Sequence, residues 1–292
     1  MRARLIKLLL RLFAALPLPV AHAFGTVLGS ALIVLPNSLR RITAINLALC
    51  YPELDARART RLERHSLIET GKTITEMGAM WCWPASRLLG KMREVVGLDV
   101  ADAAQRRGRG VIFASPHLGC WEMAGLYVSS RYPMTTLYRP PRLAALENLS
   151  REARARLGAR LVPTDASGVR ALYQALGRGE AVGILPDQNP EPGSGVFAPF
   201  FGMPAYTMVL IARLVRKTGA ALILTYAERL PHGAGYRLHL REAPEDFASA
   251  TPEQAGAILN RLIEEGVRAH PEQYQWGYKR FRVRPEGERR VY

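Results

Sequence analysis

Short apolar runs alternate with amphipathic segments along most of this 292-residue chain, from about residue 97 to residue 269. We interpret as strands the runs at residues 110–114, 135–138, 161–163, 181–185, 221–226 and 235–240. Helical patterns lie between and after them, at residues 119–130, 142–158, 168–177, 204–218 and 252–269. This alternation predicts an α/β fold with a central, mostly parallel mixed sheet flanked by helices. The last strand is expected to run antiparallel to its predecessor.

The amino terminus predicts a membrane anchor. A basic start, residues 1–11, precedes a stretch from 12 to 37 that contains no Asp, Glu, Lys or Arg and is long enough to cross a hydrocarbon core of ~30 Å. Pro17 and Pro19 interrupt any straight helix there, so a broken or interfacial anchor is expected. A cleavable signal sequence and a buried helix of a soluble protein remain alternatives. We therefore divide the chain into an anchor, 1–37, and one domain, 38–292.

The charge balance predicts an anionic partner. The formal net charge is +15, which suits nucleic acid, an anionic membrane face or a phosphorylated substrate. With hydrophobic residues at 48% of the chain, general disorder is excluded. The three cysteines are too few and too dispersed for a disulfide framework or a Cys-rich zinc site.

The segment Ser115-Pro116-His117-Leu118-Gly119-Cys120-Trp121-Glu122 leaves the first predicted buried strand. His117 is expected in the loop after that strand, and Glu122 in the first turn of the next helix. A carboxylate that holds a histidine stabilises the imidazolium and suits a general base. A structural histidine followed by a helix-initiating glutamate is the alternative. The chain has no nucleophile elbow, phosphate-binding glycine loop or zincin motif, which disfavours those enzyme classes.

Five further blocks accompany this segment along the chain. They are Tyr138-Arg139-Pro140, Arg154-Ala155-Arg156, Pro186-Asp187-Gln188, residues 195–205 and residues 271–287. With them the sequence resembles the lipid A biosynthesis acyltransferases, the late lauroyl/myristoyl transferase family within the His-x4-Asp/Glu glycerolipid acyltransferase superfamily. The resemblance runs almost from end to end and implies a glycerol-3-phosphate-acyltransferase-like fold.

The resemblance implies an enzyme of the bacterial inner membrane with its catalytic domain facing the cytoplasm. It would transfer a fatty acyl chain from acyl carrier protein to a hydroxyl of a lipid A precursor, without a metal or cofactor. In that family picture His117 is the general base and Glu122 orients it. Arg139, Arg154 and Arg156 would meet phosphates, and Asp187 would hold an arginine or bind the acceptor. For each arginine a solvated surface position is the alternative, and for Asp187 a structural cap.

Other functions remain open at this point. The same chemistry could serve another acceptor, such as a glycolipid, an aminolipid or an acylated pigment, because the motifs belong to shared machinery. A membrane-associated scaffold without catalysis is a further alternative, and it would tolerate loss of His117. Nucleic-acid binding is disfavoured, since the chain has an apolar anchor and no recognised binding module.

Overall fold

A seven-stranded sheet forms the centre of the protein, in a computed structural model that describes residues 2–141 and 143–292. The strands, with a separate hairpin of β6 and β7, are β1 Met92–Val96, β2 Val111–Ala114, β3 Met134–Tyr138, β4 Arg160–Pro163, β5 Ala181–Ile184, β6 Gly195–Phe200, β7 Met203–Met208, β8 Ala221–Arg229 and β9 Tyr236–Glu242. The order in the sheet is β1-β9-β8-β2-β5-β3-β4. Strands β8, β2, β5, β3 and β4 are mutually parallel, whereas β9 is antiparallel to β8. The predicted mixed α/β sheet is confirmed, including its antiparallel last pair.

Helices cover both faces of the sheet, each against its own buried apolar cluster. They are α1 Arg2–Ala15, α2 Leu18–Val34, α3 Ser38–Cys50, α4 Ala56–Cys82, α5 Ala85–Leu89, α6 Leu98–Arg106, α7 Trp121–Arg131, α8 Glu147–Ala155, α9 Ala166–Gly177, α10 Leu210–Thr218 and α11 Pro252–Ala269. The central strands β2 and β5 are buried at every position. Their continuous apolar sequences are those of parallel strands covered on both sides.

Two sequence-based predictions differ from the structure. The helix predicted over 204–218 is wrong in its first half, because residues 203–208 form β7 and the helix α10 starts at Leu210. The helix predicted over 142–158 starts at a residue outside the described ranges. Within them the chain has a 3₁₀ turn, Ala144–Leu146, followed by the shorter α8.

The amino-terminal helices break where the prolines predict. Helix α1 ends at Ala15, and Pro17 occupies the position just before α2. Among the described residues no single helix has the length and apolar composition to cross a membrane. Helices α2 and α3 have them only as a pair, which is bent by 82°.

Helices α1 and α2 pack against α4, and glycines make the closest contact possible. A Cβ atom on Gly71 would lie 2.1 Å from the carbonyl oxygen of Gly25, so only glycine fits there. The apolar helices are thus joined to the rest of the fold along α4. The division of the chain at residue 37 stays a prediction.

Candidate active site

The register between β2 and β5 places His117 beside Asp187. Ala114 and Ile184 are paired residues at the ends of these parallel neighbours. His117 and Asp187 each follow three residues later, in the loops that leave the same edge of the sheet. Side chains at the carboxyl ends of adjacent parallel strands are the usual source of sites in open α/β sheets.

Both oxygens of the Asp187 carboxylate accept hydrogen bonds from His117. The backbone N–H of His117 donates to Oδ2, and its ring Nδ1 donates to Oδ1, each at 2.9 Å. Burial would raise the pKa of Asp187, but the neighbouring His117 ring and these hydrogen bonds hold it below its ordinary value. An ionised carboxylate only accepts, so the Nδ1 atom of His117 carries a proton and Nε2 is left with a lone pair.

The Nε2 atom of His117 faces the side-chain amide of Gln188 and the cavity described below. The Nε2 amide group of Gln188 lies 3.3 Å from it and 3.4 Å from Oε1 of Gln275. The indole ring of Trp121 packs on the imidazole, with centroids 4.9 Å apart. Sequence reasoning gave no role to Gln188; its position directly after Asp187 is the one signal that marked it.

The His117 loop is fixed by the neighbouring segments. The backbone N–H of Gly119 donates to the carbonyl of Gln273, and the carbonyl of His117 accepts from Gln275, each at 3.0 Å. Gly119 has a positive φ of 60°, and a Cβ there would lie 2.0 Å from the carbonyl oxygen of Ala227. The glycine of the motif therefore allows the loop to lie directly against β8.

The structure places the Glu122 carboxylate against Arg154, whereas the resemblance implies that Glu122 orients His117. Glu122 lies in the first turn of α7, buried, and its carboxylate accepts from the guanidinium of Arg154 at the end of α8. The Arg154 Nε lies 3.1 and 3.0 Å from the two Glu122 oxygens, and its Nη2 also contacts Oε1. Burial would lower the pKa of Arg154, but Glu122 raises it. Across the described residues, no hydrogen bond joins Glu122 to His117, so Asp187 is the carboxylate that holds the ring.

The two other predicted arginines occupy different surroundings. Arg139 lies at the exposed rim of the cavity, 2.9 Å from the carboxylate of Glu191, in a pair whose side chains are both more than 70% exposed. Arg156 lies away from the described cavity wall. Its guanidinium donates to the carbonyls of Met80 and Trp83, at the carboxyl end of α4. A cation stabilises that end of a helix, so the position of Arg156 has a structural explanation.

One cavity of about 560 Å³ connects these groups. Its polar wall contains His117, Glu122, Arg139, Arg154, Gln188, Glu191 and Arg213. Its apolar wall contains Phe113, Trp121, Leu126, Val128, Met134, Leu137, Ala159, Leu161, Val169, Ile184, Val209 and Leu210. Several of these apolar residues are fully buried, so the cavity runs from the exposed rim into the body of the fold. A space of this size and lining is suited to a largely apolar ligand with a polar end.

Comparison with known sequences places this chain in one class of transferase. The sequence profile described as "Bacterial lipid A biosynthesis acyltransferase" matches residues 3–283. The palmitoleoyltransferase of lipid A biosynthesis from Escherichia coli (strain K12) is 32% identical over 96% of this chain and 91% of its own length. The lauroyltransferase from the same organism is 30% identical over 94% of this chain and 90% of its own, and the myristoyltransferase is 27% identical over 88% and 80%. The chain belongs to the bacterial lipid A biosynthesis acyltransferase family and is an acyltransferase.

Proposed function

We propose that this protein transfers a fatty acyl chain from acyl carrier protein to a hydroxyl group of a lipid A precursor at the bacterial inner membrane. The observation that carries the proposal is the oriented His117–Asp187 pair at the wall of an apolar cavity. The family supports the reaction class, and the names of its lauroyl-, myristoyl- and palmitoleoyltransferases support a medium to long acyl chain.

His117 acts as the general base. Its Nε2 takes the proton of the acceptor hydroxyl while that oxygen attacks the carbonyl carbon of the thioester. Asp187 stabilises the imidazolium that forms. The tetrahedral intermediate then collapses, the carbon–sulfur bond breaks, and the proton on Nε2 leaves with the carrier's thiol. The direct transfer forms one ester, releases one thiol and needs no nucleophilic residue.

The apolar wall of the cavity holds the acyl chain. Each methylene removed from water contributes about 0.8 kcal/mol, so a chain of a dozen carbons gains most of its binding energy there.

The polar wall holds the headgroups. Arg139 forms only an exposed ion pair with Glu191, which is worth little in water and is easily exchanged for a phosphate. Arg154 carries its charge into the same cavity with Glu122 behind it. Arg156 we assign to support of α4 rather than to substrate.

The surface suits both a membrane and an acidic carrier. Large apolar side chains on α1 and α2 are exposed: Leu5, Leu8, Leu9, Leu12, Val20, Phe24, Val27, Leu28 and Val34. An exposed apolar patch next to the basic residues of α1 is typical of insertion at an anionic membrane face. The net charge of +15 also attracts an acidic acyl carrier protein and a phosphorylated acceptor. The catalytic domain then faces the cytoplasm, where the carrier is.

The test is an acyl-transfer assay with purified full-length protein, acyl carrier protein loaded with fatty acid, and a lipid A precursor. His117→Ala should lower turnover at least ~100-fold, since general base catalysis contributes about 10²–10⁴-fold. His65→Ala, an exposed histidine on α4, is the matched control and should keep full activity.

Mass spectrometry of lipid A from cells with and without the gene tests the acceptor. A missing secondary acyl chain identifies both acceptor and chain length. Unchanged lipid A, with acylation lost from another lipid, would reject this acceptor and favour the same chemistry elsewhere. Full complementation of a deletion strain by His117→Ala would reject catalysis and favour a scaffold.

A further inference from the structure

Three side chains with metal-ligating atoms converge away from the cavity. Glu228 lies on β8, His239 lies on the neighbouring β9, and His270 directly follows the end of α11. One ligating atom from each, Glu228 Oε2 and an imidazole nitrogen from each histidine, lies within 4.8 Å of the other two. The proposed acyl transfer uses none of these residues.

The distances suit a small divalent ion. The Nε2 atoms of His239 and His270 lie 2.9 and 3.6 Å from the same oxygen, Glu228 Oε2. Zinc binds histidine nitrogen and carboxylate oxygen at about 2.0–2.2 Å in a tetrahedral arrangement, which separates two ligand atoms by roughly 3.3–3.5 Å. The two distances to Glu228 Oε2 therefore need to change only by tenths of an ångström, and the two histidine ligand atoms already lie within 4.8 Å of each other.

The imidazole rings of His239 and His270 differ in their contacts with the rest of the fold. His239 stacks on Tyr226 with ring centroids 4.6 Å apart and planes at 13°, which fixes the ring against the sheet. His270 Nε2 forms no hydrogen bond within the described chain, although it points at the same carboxylate. The Nε2 atom of His270 is therefore available as a metal ligand.

One cation competes for the same carboxylate. Arg237 Nη1 donates to Glu228 Oε2 at 3.2 Å, while its Nε donates to Glu94 at 2.6 Å. Glu94 holds the guanidinium independently, and the carboxylate of Glu228 has a second oxygen that can accept Arg237 when Oε2 binds metal. The arginine is therefore compatible with an ion and would orient the glutamate from outside.

We propose that Glu228, His239 and His270 bind one zinc ion, with water as the fourth ligand. Two imidazoles and one carboxylate select zinc over magnesium and calcium, which take oxygen ligands. All three side chains retain some exposure, so the open position reaches solvent. The ion would join the end of α11 to the β8–β9 hairpin.

The ion would strengthen the support of the His117 loop. His270 directly precedes the segment whose residues Gln273 and Gln275 hydrogen-bond to Gly119 and His117. Gln273 also bonds to the backbone of Arg229, next to Glu228. Zinc at the three side chains fixes the start of this segment to the same hairpin.

The experiment is a zinc titration of purified full-length protein in detergent, stripped with a chelator and followed by competition with a chromophoric zinc indicator. We expect one zinc ion per chain. His239→Ala, His270→Ala and Glu228→Gln should each weaken binding by more than about 10–100-fold, the loss that follows removal even of an outer partner of a metal ligand. His65→Ala and His117→Ala should bind like the parent, which separates this site from the candidate active site.

Cobalt supplies a readout that does not depend on variants. Bound Co²⁺ should give the intense visible absorption of a four- or five-coordinate site in the parent, and zinc should abolish that absorption. The proposal is overturned if the stripped parent binds no zinc, or if Glu228→Gln and His270→Ala bind zinc as tightly as the parent. Both results leave the acyl transfer untouched.

Discussion

Two buried carboxylates belong to the candidate site, and each has a different partner. Asp187 accepts the ring and backbone N–H groups of His117, while Glu122 accepts the guanidinium of Arg154. A carboxylate on an imidazole fixes the tautomer and stabilises the ring when it is protonated. A carboxylate on a guanidinium neutralises a buried charge and holds it in place. Removal of the first should therefore affect turnover, and removal of the second should affect stability and binding.

Asp187→Asn keeps the shape of the side chain but removes its charge. The amide stabilises an imidazolium poorly and can turn its NH2 group toward the ring, which then carries its proton on the wrong nitrogen. We expect kcat to fall at least ~100-fold with KM nearly unchanged, because Asp187 acts through His117 and not on substrate. Steady-state kinetics with both substrates measure the changes in kcat and KM separately. A loss confined to KM would show that Asp187 binds the acceptor instead.

Arg154→Ala leaves the Glu122 carboxylate buried without its cation. A hydrogen bond to a charged group is worth about 1.5–3 kcal/mol, and partial exposure of Arg154 brings the expected loss of stability to the lower end of that range. Adding Glu122→Gln should restore most of that stability. If Arg154 also meets substrate, the double variant stays ~10–100-fold less efficient. Chemical unfolding and kcat/KM of the parent, Arg154→Ala and the double variant decide this. Full recovery of both stability and kcat/KM in the double variant would leave Arg154 a purely structural role.

At the scale of secondary structure, six of the seven strands of the central sheet are predicted from the sequence, but which strands lie side by side is not. The apolar runs ending at Ala114 and Ile184 predict buried strands, and His117 and Asp187 each follow one by three residues. That equal spacing pairs the two side chains only if β2 and β5 are adjacent and in register. Local periodicity carries no information on which strands pair across 70 residues. The partner of His117 that the resemblance implies is Glu122, five residues further along the chain.

The β6–β7 hairpin shows a second limit of local patterns. Its two-residue turn consists of Phe201 and Gly202, both with positive φ, at 50° and 74°. Turns of this kind favour Asn or Gly at both positions. Because Phe201 occupies the first position, the sequence does not indicate a hairpin here. The ring of Phe201 is buried beside Tyr51 and Trp276, and this packing offsets the backbone cost. Tertiary contacts decided a turn that the sequence did not signal.

Helix α7 offers a position that measures the length of the bound chain. Gly125 lines the cavity, and a Cβ atom there would meet nothing within 4 Å. Gly125→Leu should fill part of the cavity, shorten the preferred acyl chain by a few carbons and lower activity with the original donor. Gly125→Ala is the control, expected to keep chain preference and to stabilise the helix by up to about 1 kcal/mol. Competition among carrier-bound chains of different length measures the preference, and an unchanged profile in Gly125→Leu would place the acyl chain elsewhere.

Across the whole molecule, one buried polar network joins the amino-terminal helices to the sheet. Glu76 on α4 contacts His22 of α2 at 3.1 Å and accepts from Arg229 of β8 at 2.6 and 3.0 Å. Arg229 also bonds to Glu69 and to the carbonyl of Gly119 in the His117 loop. The amino-terminal helix α2 and the candidate active site thus share a set of buried charges. Removing residues 1–36 would expose this network as well as remove the proposed membrane anchor.

Glu76→Gln should lower the free energy of unfolding by about 3 kcal/mol, the lower end of the range for breaking a buried ion pair. The lower end applies because Arg229 retains its ion pair with Glu69. Burial would raise the pKa of Glu76, yet Arg229 and His22 hold it below its ordinary value of 4.5. A depressed carboxyl pKa stabilises the fold above the unfolded value and loses that effect as the pH falls. The stability difference from the parent should therefore stay constant at neutral pH and shrink only below about pH 4.5.

Glu63→Gln, on the same helix, is the matched control. The ion pair of Glu63 with Arg40 is partly exposed, so Glu63→Gln should lower the free energy of unfolding by less than about 1 kcal/mol. Urea unfolding at several pH values makes the comparison. Equal costs for the two substitutions would mean that the buried network contributes no more than a surface pair.

Membrane attachment is best tested by substitutions that spare this network. Leu8 on α1 and Phe24 and Val27 on α2 are each more than half exposed, so changing them to Gln removes apolar surface without opening the core. Burial of such a side chain contributes about 1.5–3 kcal/mol, and the triple variant should partition into anionic vesicles at least ~100-fold more weakly. Val96→Gln, an exposed apolar site on the edge strand β1, should partition like the parent. High salt should weaken the parent only in part, because apolar insertion is not screened. Undiminished partitioning of the triple variant, with its fold intact by circular dichroism, would show that another surface meets the membrane.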